Sequence, residues 1–257
     1  MAISKNIISV LESIVGPKYI SDDPVICESY RSGPGGYEDG TGYERVMTTI
    51  PGAVIMPRTT EEVQKIVKVC YRNNVPYVPY ATGFYGPRSH PHVEDALLID
   101  MKRMQDFSID EKHFFVDVQA GVIYSPIQQE CLEHGAYVVI GGGGAQASAI
   151  ANLLGDGWSP LSHRIGMPHR RILGCEVVLP DGELLRTGSL ATGDDPFWGE
   201  SPGPDLRGIL RGYTGVRGCL GIVTRMAIKT LPFQPEPLVP SGITPNTALK
   251  LPEKRVK

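Results

Sequence analysis

The sequence has no pair of cysteines close enough to hold a metal. No C-x-x-C pattern occurs, and the chain's cysteines stand singly at Cys27, Cys70, Cys131, Cys175 and Cys219. An iron–sulfur cluster or a structural zinc site within this chain is therefore not expected. An odd number of scattered thiols is typical of a reducing compartment, and we expect a cytoplasmic protein.

Long apolar runs and a strong charge of one sign are missing as well. No apolar run approaches the roughly 20 residues that a bilayer-crossing helix needs, so a transmembrane segment is not expected. The net charge is only −3, which gives no reason to expect a nucleic-acid partner. The N-terminus has an apolar stripe that polar residues interrupt, and the stripe consists of Ile7, Ile8, Leu11, Ile14 and Val15. It predicts a short amphipathic helix, since a secretory signal needs an unbroken apolar block.

Glycine and proline are abundant, and their positions divide the chain. The 257 residues include 30 glycines and 22 prolines, which indicates either long loops or a backbone that approaches a ligand closely. We predict three parts: residues 1–50 as an N-terminal helix and irregular arm, residues 51–232 as one domain, and residues 233–257 as a proline-rich arm. The central domain divides into subdomains at about 51–120 and 121–232.

The first subdomain has a strand–helix–strand pattern. Thr59 precedes an apolar spacing typical of an amphipathic helix, and Glu62 completes a capping box. Asn74 is the expected end of this helix. Strands are predicted at 53–56, 77–80, 96–100 and 114–119.

The second subdomain repeats this logic. Ser125 and Pro126 predict a helix start, and Gly135 predicts its end. Pro180-Asp181-Gly182-Glu183 between two apolar runs predicts a hairpin of residues 174–179 and 184–187. Further strands are predicted at 137–140 and 221–230, and further helices at 145–154 and 204–211.

Two glycine-containing loops each follow directly after a predicted strand. We call Tyr80–Gly86 the first glycine loop and Gly141–Ala145 the second glycine loop. Glycine lets successive backbone N–H groups converge on phosphate oxygens without a side chain in the way. Neither loop fits the P-loop or the Rossmann fingerprint, which disfavours a nucleoside triphosphate or NAD site.

The order of the segments resembles the FAD-binding domain of the vanillyl-alcohol oxidase / p-cresol methylhydroxylase family, and also the FAD subunit of glycolate oxidase and D-lactate dehydrogenase. The segments that carry the resemblance are PGAVIMPRTTEEVQ, LLIDMKRM, VDVQAGVIYSPIQQECLEHG, SAIANLLGDGWSP, GCEVVLPDGELLRTG and GIVTRMAIKTLP. The resemblance implies an α+β fold made of two α/β subdomains of the PCMH-type FAD-binding fold, with no substrate cap domain.

The resemblance also implies which residues contact FAD. The first loop supplies Tyr80, Thr82, Gly83, Phe84, Tyr85 and Gly86. The second loop and the helix after it supply Gly143, Gly144, Ala145, Ser148 and Asn152. The last strand supplies Gly221, Ile222 and Val223, although Ile222 and Val223 are equally well explained as core residues.

Two departures from the family pattern bear on the chemistry. Ala81–Gly86 contains no histidine, so we expect non-covalent FAD, with His90 and His92 as exposed loop residues. No carboxylate occurs within Val139–Gly142, which argues against phenol oxidation. We predict His163 and His169 as catalytic candidates, with Arg164 or Arg170 polarising a carbonyl. A solvated basic loop is an equally good reading of that segment.

Function follows from the resemblance. We expect the FAD-binding subunit of a multi-subunit oxidoreductase that transfers a hydride between a small-molecule substrate and the flavin N5 atom. A second chain would supply the substrate cap, and an iron–sulfur subunit could accept electrons. Reduction of an enol ether in cell-wall precursor synthesis ranks lower, because that class needs its own C-terminal domain. A non-catalytic flavin-domain scaffold is the remaining alternative.

Overall fold

The computed structural model describes residues 3–30, 49–83, 91, 93–155, 158–193 and 220–233. Its helices are α1 (Lys5–Val15), α2 (Pro24–Ser29), α3 (Thr60–Asn73), α4 (Tyr124–Glu133), α5 (Ala149–Leu154) and α6 (Ser162–Ile165). Its strands are β1 (Ile20–Ser21), β2 (Ala53–Ile55), β3 (Tyr77–Tyr80), β4 (Leu97–Asp100), β5 (Phe107–Asp110), β6 (Phe115–Gln119), β7 (Ala136–Tyr137), β8 (Ile172–Val178), β9 (Leu184–Arg186), β10 (Ile222–Lys229) and β11 (Leu231–Pro232).

The first sheet has the strand order β1-β2-β4-β3. Strands β2, β3 and β4 run parallel, which the crossover helix α3 makes possible. The predicted cap of α3 is confirmed, because Thr59 Oγ1 accepts a hydrogen bond from the Glu62 amide at 3.2 Å. Asn74 ends the helix in the left-handed region, at φ 53°.

The second sheet is antiparallel, in the order β5-β6-β10-β8-β9. The predicted hairpin joins β8 to β9, and Gly182 takes φ +83° at its turn. A Cβ at Gly182 would overlap the side chain of Lys68 on α3, so the turn needs glycine for close approach as well as for conformation. Strand β5 was not predicted, although Phe107-Ser108-Ile109-Asp110 alternates apolar and polar residues.

One apolar core joins the two sheets. Helix α3 contributes Val63, Ile66, Val67 and Cys70 to it, and helix α1 lays Ile8, Leu11 and Val15 against α3. Strand residues of both sheets belong to the same cluster, among them Leu97, Ile99, Val116, Cys175 and Met226. The two subdomains therefore share one hydrophobic interior, which fixes the first sheet relative to the second.

Several expected elements differ from the structure. Helix α4 begins at Tyr124 with Ile123 as its N-cap, so the predicted Ser125 cap is wrong. Helix α5 begins only at Ala149, because residues 141–147 form turns, and the strand expected at 137–140 shortens to Ala136–Tyr137. Residues 16–30 are not an irregular arm, since β1 pairs with β2.

Other expectations fall on residues that the structure does not describe. They are the helix at 204–211, residues 31–48 of the predicted N-terminal arm, His90, His92, Cys219 and the arm from residue 234 onward. Among the described helices, none is both long enough and apolar enough to span a bilayer.

Candidate functional site

The first glycine loop leaves the carboxyl-terminal edge of the parallel sheet. Tyr80 is the last residue of β3, and its register partner Asp100 is the last residue of β4. Ligands of open α/β sheets bind at this edge, where the loops that follow the strands converge. The loop's position therefore fits the predicted nucleotide site.

Gly83 holds the described part of this loop close to the sheet. It takes φ +68°, and a Cβ on it would overlap the hydroxyl of Tyr80. Thr82 beside it is half-buried, and Gly83 itself is buried. Phe84, Tyr85 and Gly86, which complete the predicted loop, lie outside the described residues. Glycine is thus required here both for backbone conformation and for a close approach.

A set of polar side chains that sequence reasoning missed lies beside this loop. We call Tyr30, Tyr80, Asp100 and Lys102 the tyrosine–lysine cluster. The fully buried Asp100 carboxylate accepts hydrogen bonds from Tyr30 Oη at 2.7 Å, from Lys102 N at 3.0 Å and from Lys102 Nζ at 3.2 Å. The Lys102 ammonium also lies 4.8 Å from the Tyr80 ring centroid and 5.3 Å from that of Tyr30.

The cluster changes the acidity of its phenols. Burial, and secondly the hydrogen bond to Asp100, raises the pKa of Tyr30. Burial, followed by the charge of Asp100, raises the pKa of Tyr80. Both hydroxyls therefore stay protonated at neutral pH. The Lys102 side chain lies over the Tyr80 ring, at the start of the first glycine loop.

The second glycine loop is a series of tight turns. Gly144 N donates to Gly141 O at 2.9 Å, and Ala147 N donates to Gly144 O at 3.2 Å. Ser125 N, on α4, donates to Ala145 O at 3.0 Å and ties the loop to that helix. Gly144 takes φ +80°, and a Cβ on it would meet no atom within 4 Å among the described residues.

The glycines at the start of this loop are needed for contact with later residues. A Cβ on Gly141 would overlap the side-chain amide of Asn152. Gly142 N donates to Trp158 O, and the Trp158 ring packs against the same glycine. Close packing on one side thus leaves Gly144 as the glycine that borders open space.

Ser148 and Asn152 position this loop through their side chains. Ser148 Oγ caps α5 by accepting from Ala151 N at 3.3 Å, and it donates to Ala120 O at 3.2 Å. Asn152 Oδ1 accepts from Tyr124 Oη at 3.4 Å. Burial raises the pKa of Tyr124, so its hydroxyl stays a donor. The side chains of Ser148 and Asn152 therefore hold the second glycine loop in place.

A continuous line of contacts connects the two loops. Asp100 leads into the 3-10 turn Met101–Arg103, and Gly121 N donates to Met104 O at 2.8 Å just after that turn. A Cβ on Gly121 would overlap the carbonyl oxygen of Met101. Ala120, next to Gly121, accepts the Ser148 hydroxyl. The turn after β4 thus packs against Gly121, and the neighbouring Ala120 holds Ser148 at the end of the second loop.

The side chains of Ile222 and Val223 belong to the hydrophobic core. Ile222 and Val223 are 1% and 8% exposed, and Ile222 pairs with Val178 in the sheet. Gly221 takes φ +146°, and a Cβ there would overlap the carbonyl oxygen of Val178. The core explanation for Ile222 and Val223 is confirmed, which leaves only their backbone available to a nucleotide.

The predicted catalytic segment has an exposed part and a partly buried part. His163 is exposed on α6, and its Nδ1 lies 2.8 Å from Pro160 O, a contact that requires the Nδ1–H tautomer. Arg164 and Arg170 are exposed. His169 lies half-buried on the 3-10 turn Pro168–Arg171, which packs against α5.

Arg171, which sequence reasoning did not single out, is also half-buried on that turn. Within the described residues, the buried side-chain atoms that have no hydrogen-bond partner are His169 Nδ1, Arg171 Nε and Thr230 Oγ1. Burial lowers the pKa of Arg171. Buried polar groups are rarely left unpaired, so these three atoms are a natural place for a ligand.

The residues present fit a flavin nucleotide. Among the described residues, Gly144 borders open space at a turn with positive φ, a cationic side chain lies beside the first loop, and donors without a partner lie next to α5. No group of His, Cys, Asp and Glu that could hold a metal ion occurs in the described part of the chain.

Comparison with known proteins agrees with this geometry. Residues 51–188, more than half of the chain, match the family described as "FAD binding domain". The chain is 28% identical over 184 residues to D-lactate dehydrogenase [cytochrome] 1, mitochondrial, of Saccharomyces cerevisiae, covering 70% of this chain and 30% of that protein. It is 29% identical over 211 residues to glycolate oxidase subunit GlcD of Bacillus subtilis, covering 78% of this chain and 43% of that protein.

A solved structure has the same fold. p-Cresol methylhydroxylase with substrate bound superimposes with a TM-score of 0.71 at 21% identity, covering 90% of this chain and 44% of that one. The expected PCMH-type α+β fold is thereby confirmed. The chain spans less than half the length of each of these proteins.

Proposed function

We propose, because this chain belongs to the family of FAD binding domains, that it is the FAD-binding part of a flavin-dependent oxidoreductase. One observation carries the proposal beyond the family. The turn at Gly144 takes φ +80° with no described atom within 4 Å of a Cβ position, on a loop that Ser148 ties to Ala120, beside the turn that follows β4. Backbone amides at such a turn can accept a diphosphate.

The chain's own residues would hold and orient the cofactor. The backbone at Thr82–Gly83 and at Gly143–Ala145 would bind the diphosphate, with Ser148 and Asn152 fixing the second loop. The Lys102 ammonium would add positive charge beside the first loop. FAD, when bound, supplies the hydride acceptor, its N5 atom, and the protein supplies orientation and electrostatics.

Proton transfer from a substrate hydroxyl needs an acceptor on the protein or its partner. Since His163 Nδ1 points to the Pro160 carbonyl, Nε2 is the atom that could accept a proton. His169 is the second candidate, because its Nδ1 has no partner among the described residues. A 2-hydroxy acid is the substrate class that we favour, in line with the names of the D-lactate and glycolate relatives.

The surroundings of the domain belong to the proposal too. We infer that a second polypeptide supplies the cap that encloses the substrate, and an iron–sulfur subunit could accept the electrons. The support is that one relative is described as a subunit of glycolate oxidase. We place the protein in the cytoplasm, since Cys27, Cys70, Cys131 and Cys175 are all free thiols.

FAD binding by the purified full chain tests the proposal. We expect the unmodified protein to show the absorbance bands of oxidised flavin. Gly144→Ala should weaken FAD binding at least about tenfold, because a methyl group would occupy the space beside the phosphate-binding amides. Gly193→Ala is the matched control, since Gly193 has φ +79°, also has no atom of the described residues within 4 Å of its Cβ position, and is not among the residues proposed to contact FAD. A colourless protein, or equal effects of the two substitutions, contradicts the proposal.

Two further readouts complete this experiment. We expect acid-denatured holoprotein to release its flavin into the supernatant, because the cofactor is proposed to be non-covalent. Bleaching of the flavin bands by D-lactate or glycolate, in the presence of a co-purifying cap subunit, would distinguish an oxidoreductase from the scaffold alternative. A protein that keeps its flavin oxidised under every such condition supports the scaffold.

A further inference from the structure

The three unpaired buried atoms lie at one end of the second sheet. Register pairs Ile172 of β8 with Ile228 of β10. His169 and Arg171 lie on the 3-10 turn just before Ile172, and Thr230 lies just after Lys229, the last residue of β10. Because paired strands are only about 4.8 Å apart, the residues that flank one registered pair share one end of the sheet. We call His169, Arg171 and Thr230 the unpaired cluster.

Helix α5 brings this cluster to the second glycine loop. It packs against the 3-10 turn that carries His169 and Arg171, and also against β10. Ser148, at the end of the second loop, caps the same helix. The cluster is therefore only one short helix away from the proposed diphosphate site.

The chemistry of the three groups is complementary to an oxyanion. Arg171 Nε–H can only donate and carries a positive charge, and the Thr230 hydroxyl can donate as well. His169 donates from Nδ1 in one of its two neutral tautomers. Negatively charged phosphate or carboxylate oxygens accept such hydrogen bonds most strongly.

The cost of burying Arg171 and Thr230 without partners also favours a bound oxyanion. Arg171 has no carboxylate partner among the described residues, and burial without a partner disfavours its charged form, which the lowered pKa expresses. Thr230 is 1% exposed, so its hydroxyl cannot turn to bulk water. A bound oxyanion would offset both costs at once.

We propose that His169, Arg171 and Thr230 form an oxyanion-binding subsite beside α5. The oxyanion is either the diphosphate of the cofactor or the carboxylate of a substrate. Only this choice of source rests on the proposed function; the subsite itself does not.

Calorimetric titration of the full chain tests the subsite with three probes: FAD, inorganic pyrophosphate and oxalate. We compare Arg171→Met with Arg72→Met, because Arg72 is an exposed arginine in the last turn of α3 to which no catalytic or binding role is assigned. Arg171→Met should weaken binding of at least one probe roughly ten- to hundredfold, as expected for lost hydrogen bonds from a charged group. Arg72→Met should change affinity by no more than about twofold, as is usual for exposed charges.

The pattern of losses identifies the source. Loss of both FAD and pyrophosphate assigns the subsite to the cofactor diphosphate, and loss of oxalate alone assigns it to a carboxylate. If the unmodified protein does not bind FAD but binds another probe through Arg171, the proposed function fails and the subsite stands. Equal affinities of the two variants for every probe overturn the subsite, as does a failure of the unmodified protein to bind any probe.

Folding controls keep the test decisive. Circular dichroism and thermal unfolding of each variant show whether it has folded. Should Arg171→Met not fold, Thr230→Val is the second variant, because it removes one donor and keeps the shape of the side chain. It should weaken the same probe about three- to tenfold, as for one neutral hydrogen bond, and an unchanged affinity counts against the subsite.

Discussion

The tyrosine–lysine cluster and the unpaired cluster treat buried polar groups in opposite ways. In the former, the fully buried Asp100 carboxylate accepts hydrogen bonds from Tyr30 and Lys102. In the latter, Arg171, His169 and Thr230 each bury an atom that no described residue contacts by a hydrogen bond. A set of charges that satisfies itself stabilises the fold, whereas an unsatisfied set makes the ligand-free protein less stable than it could be.

The largest effect on the free energy of unfolding is expected in the tyrosine–lysine cluster. Asp100→Ala should lower the free energy of unfolding by about 2–3 kcal/mol, because it removes the acceptor of the Tyr30 hydroxyl and the counter-charge of Lys102. The loss is no larger because the Lys102 side chain is partly exposed to water. Urea denaturation measures this. Asp106→Ala is the control, since its side chain is 72% exposed and its ion pair with Arg58 is 4.0 Å long. Losses of equal size would show that Asp100 contributes no more than a surface charge.

Two arginines extend the comparison, with opposite signs expected. Arg225 on β10 forms a forked ion pair with Asp117, with Nε at 2.9 Å from Oδ1 and 2.8 Å from Oδ2. Arg225→Met should cost about 1–2 kcal/mol, a value reduced because the Arg225 side chain is 38% exposed. Arg171→Met should instead leave the stability of ligand-free protein unchanged or raise it by about 1 kcal/mol, because it removes an unpaired buried donor.

Thermal unfolding without FAD or added anions measures both variants. The same decrease for both would mean that Arg171 already has a partner in the protein, and the contrast between the clusters would be lost. A higher unfolding temperature for Arg171→Met than for the unmodified protein, which disappears when the bound probe is present, would strengthen the contrast between the clusters. The probe then stabilises only the protein that has the arginine.

A pH series tests the satisfied cluster more finely. Tyr30→Phe should cost about 1 kcal/mol at neutral pH, because the Asp100 carboxylate loses a donor while Tyr30 is itself only half-buried. The pKa of Tyr30 is raised from its ordinary value of 10.0, first by burial and then by Asp100. A raised folded-state pKa means that the contribution of Tyr30 is complete below pH 10 and is lost as the pH rises above it.

The difference between Tyr30→Phe and the unmodified protein should therefore shrink in alkaline solution. Urea midpoints, measured at neutral pH and above the ordinary phenol pKa, check this. A difference that stays constant or grows with pH would show that the Tyr30 hydroxyl does not interact with Asp100.

The sequence was sufficient where the determinants are local. The bounds of α3 follow from Thr59, Asn74 and an apolar spacing, and the β8–β9 hairpin follows from Asp181-Gly182. Both glycine loops were located for the same reason, since each follows a strand directly. The family resemblance supplied the order of the parts.

Contacts between residues far apart in the sequence could not be predicted. Tyr30 contacts Asp100 only because β1 joins the first sheet and α2 packs against β2, and no local pattern links two residues that are 70 positions apart. Among Arg164, Arg170 and Arg171, only Arg171 is half-buried, and no local pattern shows how the turn Pro168–Arg171 packs against α5. The Ser125 cap fails because α4 begins one residue earlier, at Tyr124, whose N–H donates to Ala147 O, so Ser125 already lies in the first turn.

The smallest expected effect comes from two buried threonines at either end of β10. The Thr224 hydroxyl accepts from Thr60 Oγ1 on α3 at 3.0 Å, whereas the Thr230 hydroxyl has no partner among the described residues. Both are almost fully buried, at 0% and 1% exposure, so valine replaces each with the same shape in the same kind of surroundings. Thr224→Val should cost about 1 kcal/mol, because it breaks a hydrogen bond and strands the Thr60 hydroxyl. Thr230→Val should change the unfolding free energy of ligand-free protein by less than about 0.5 kcal/mol or raise it, since only an unsatisfied hydroxyl is lost. Chemical denaturation of the two variants side by side measures the difference, and equal costs would mean that Thr230 is hydrogen-bonded in solution and is not held ready for a ligand.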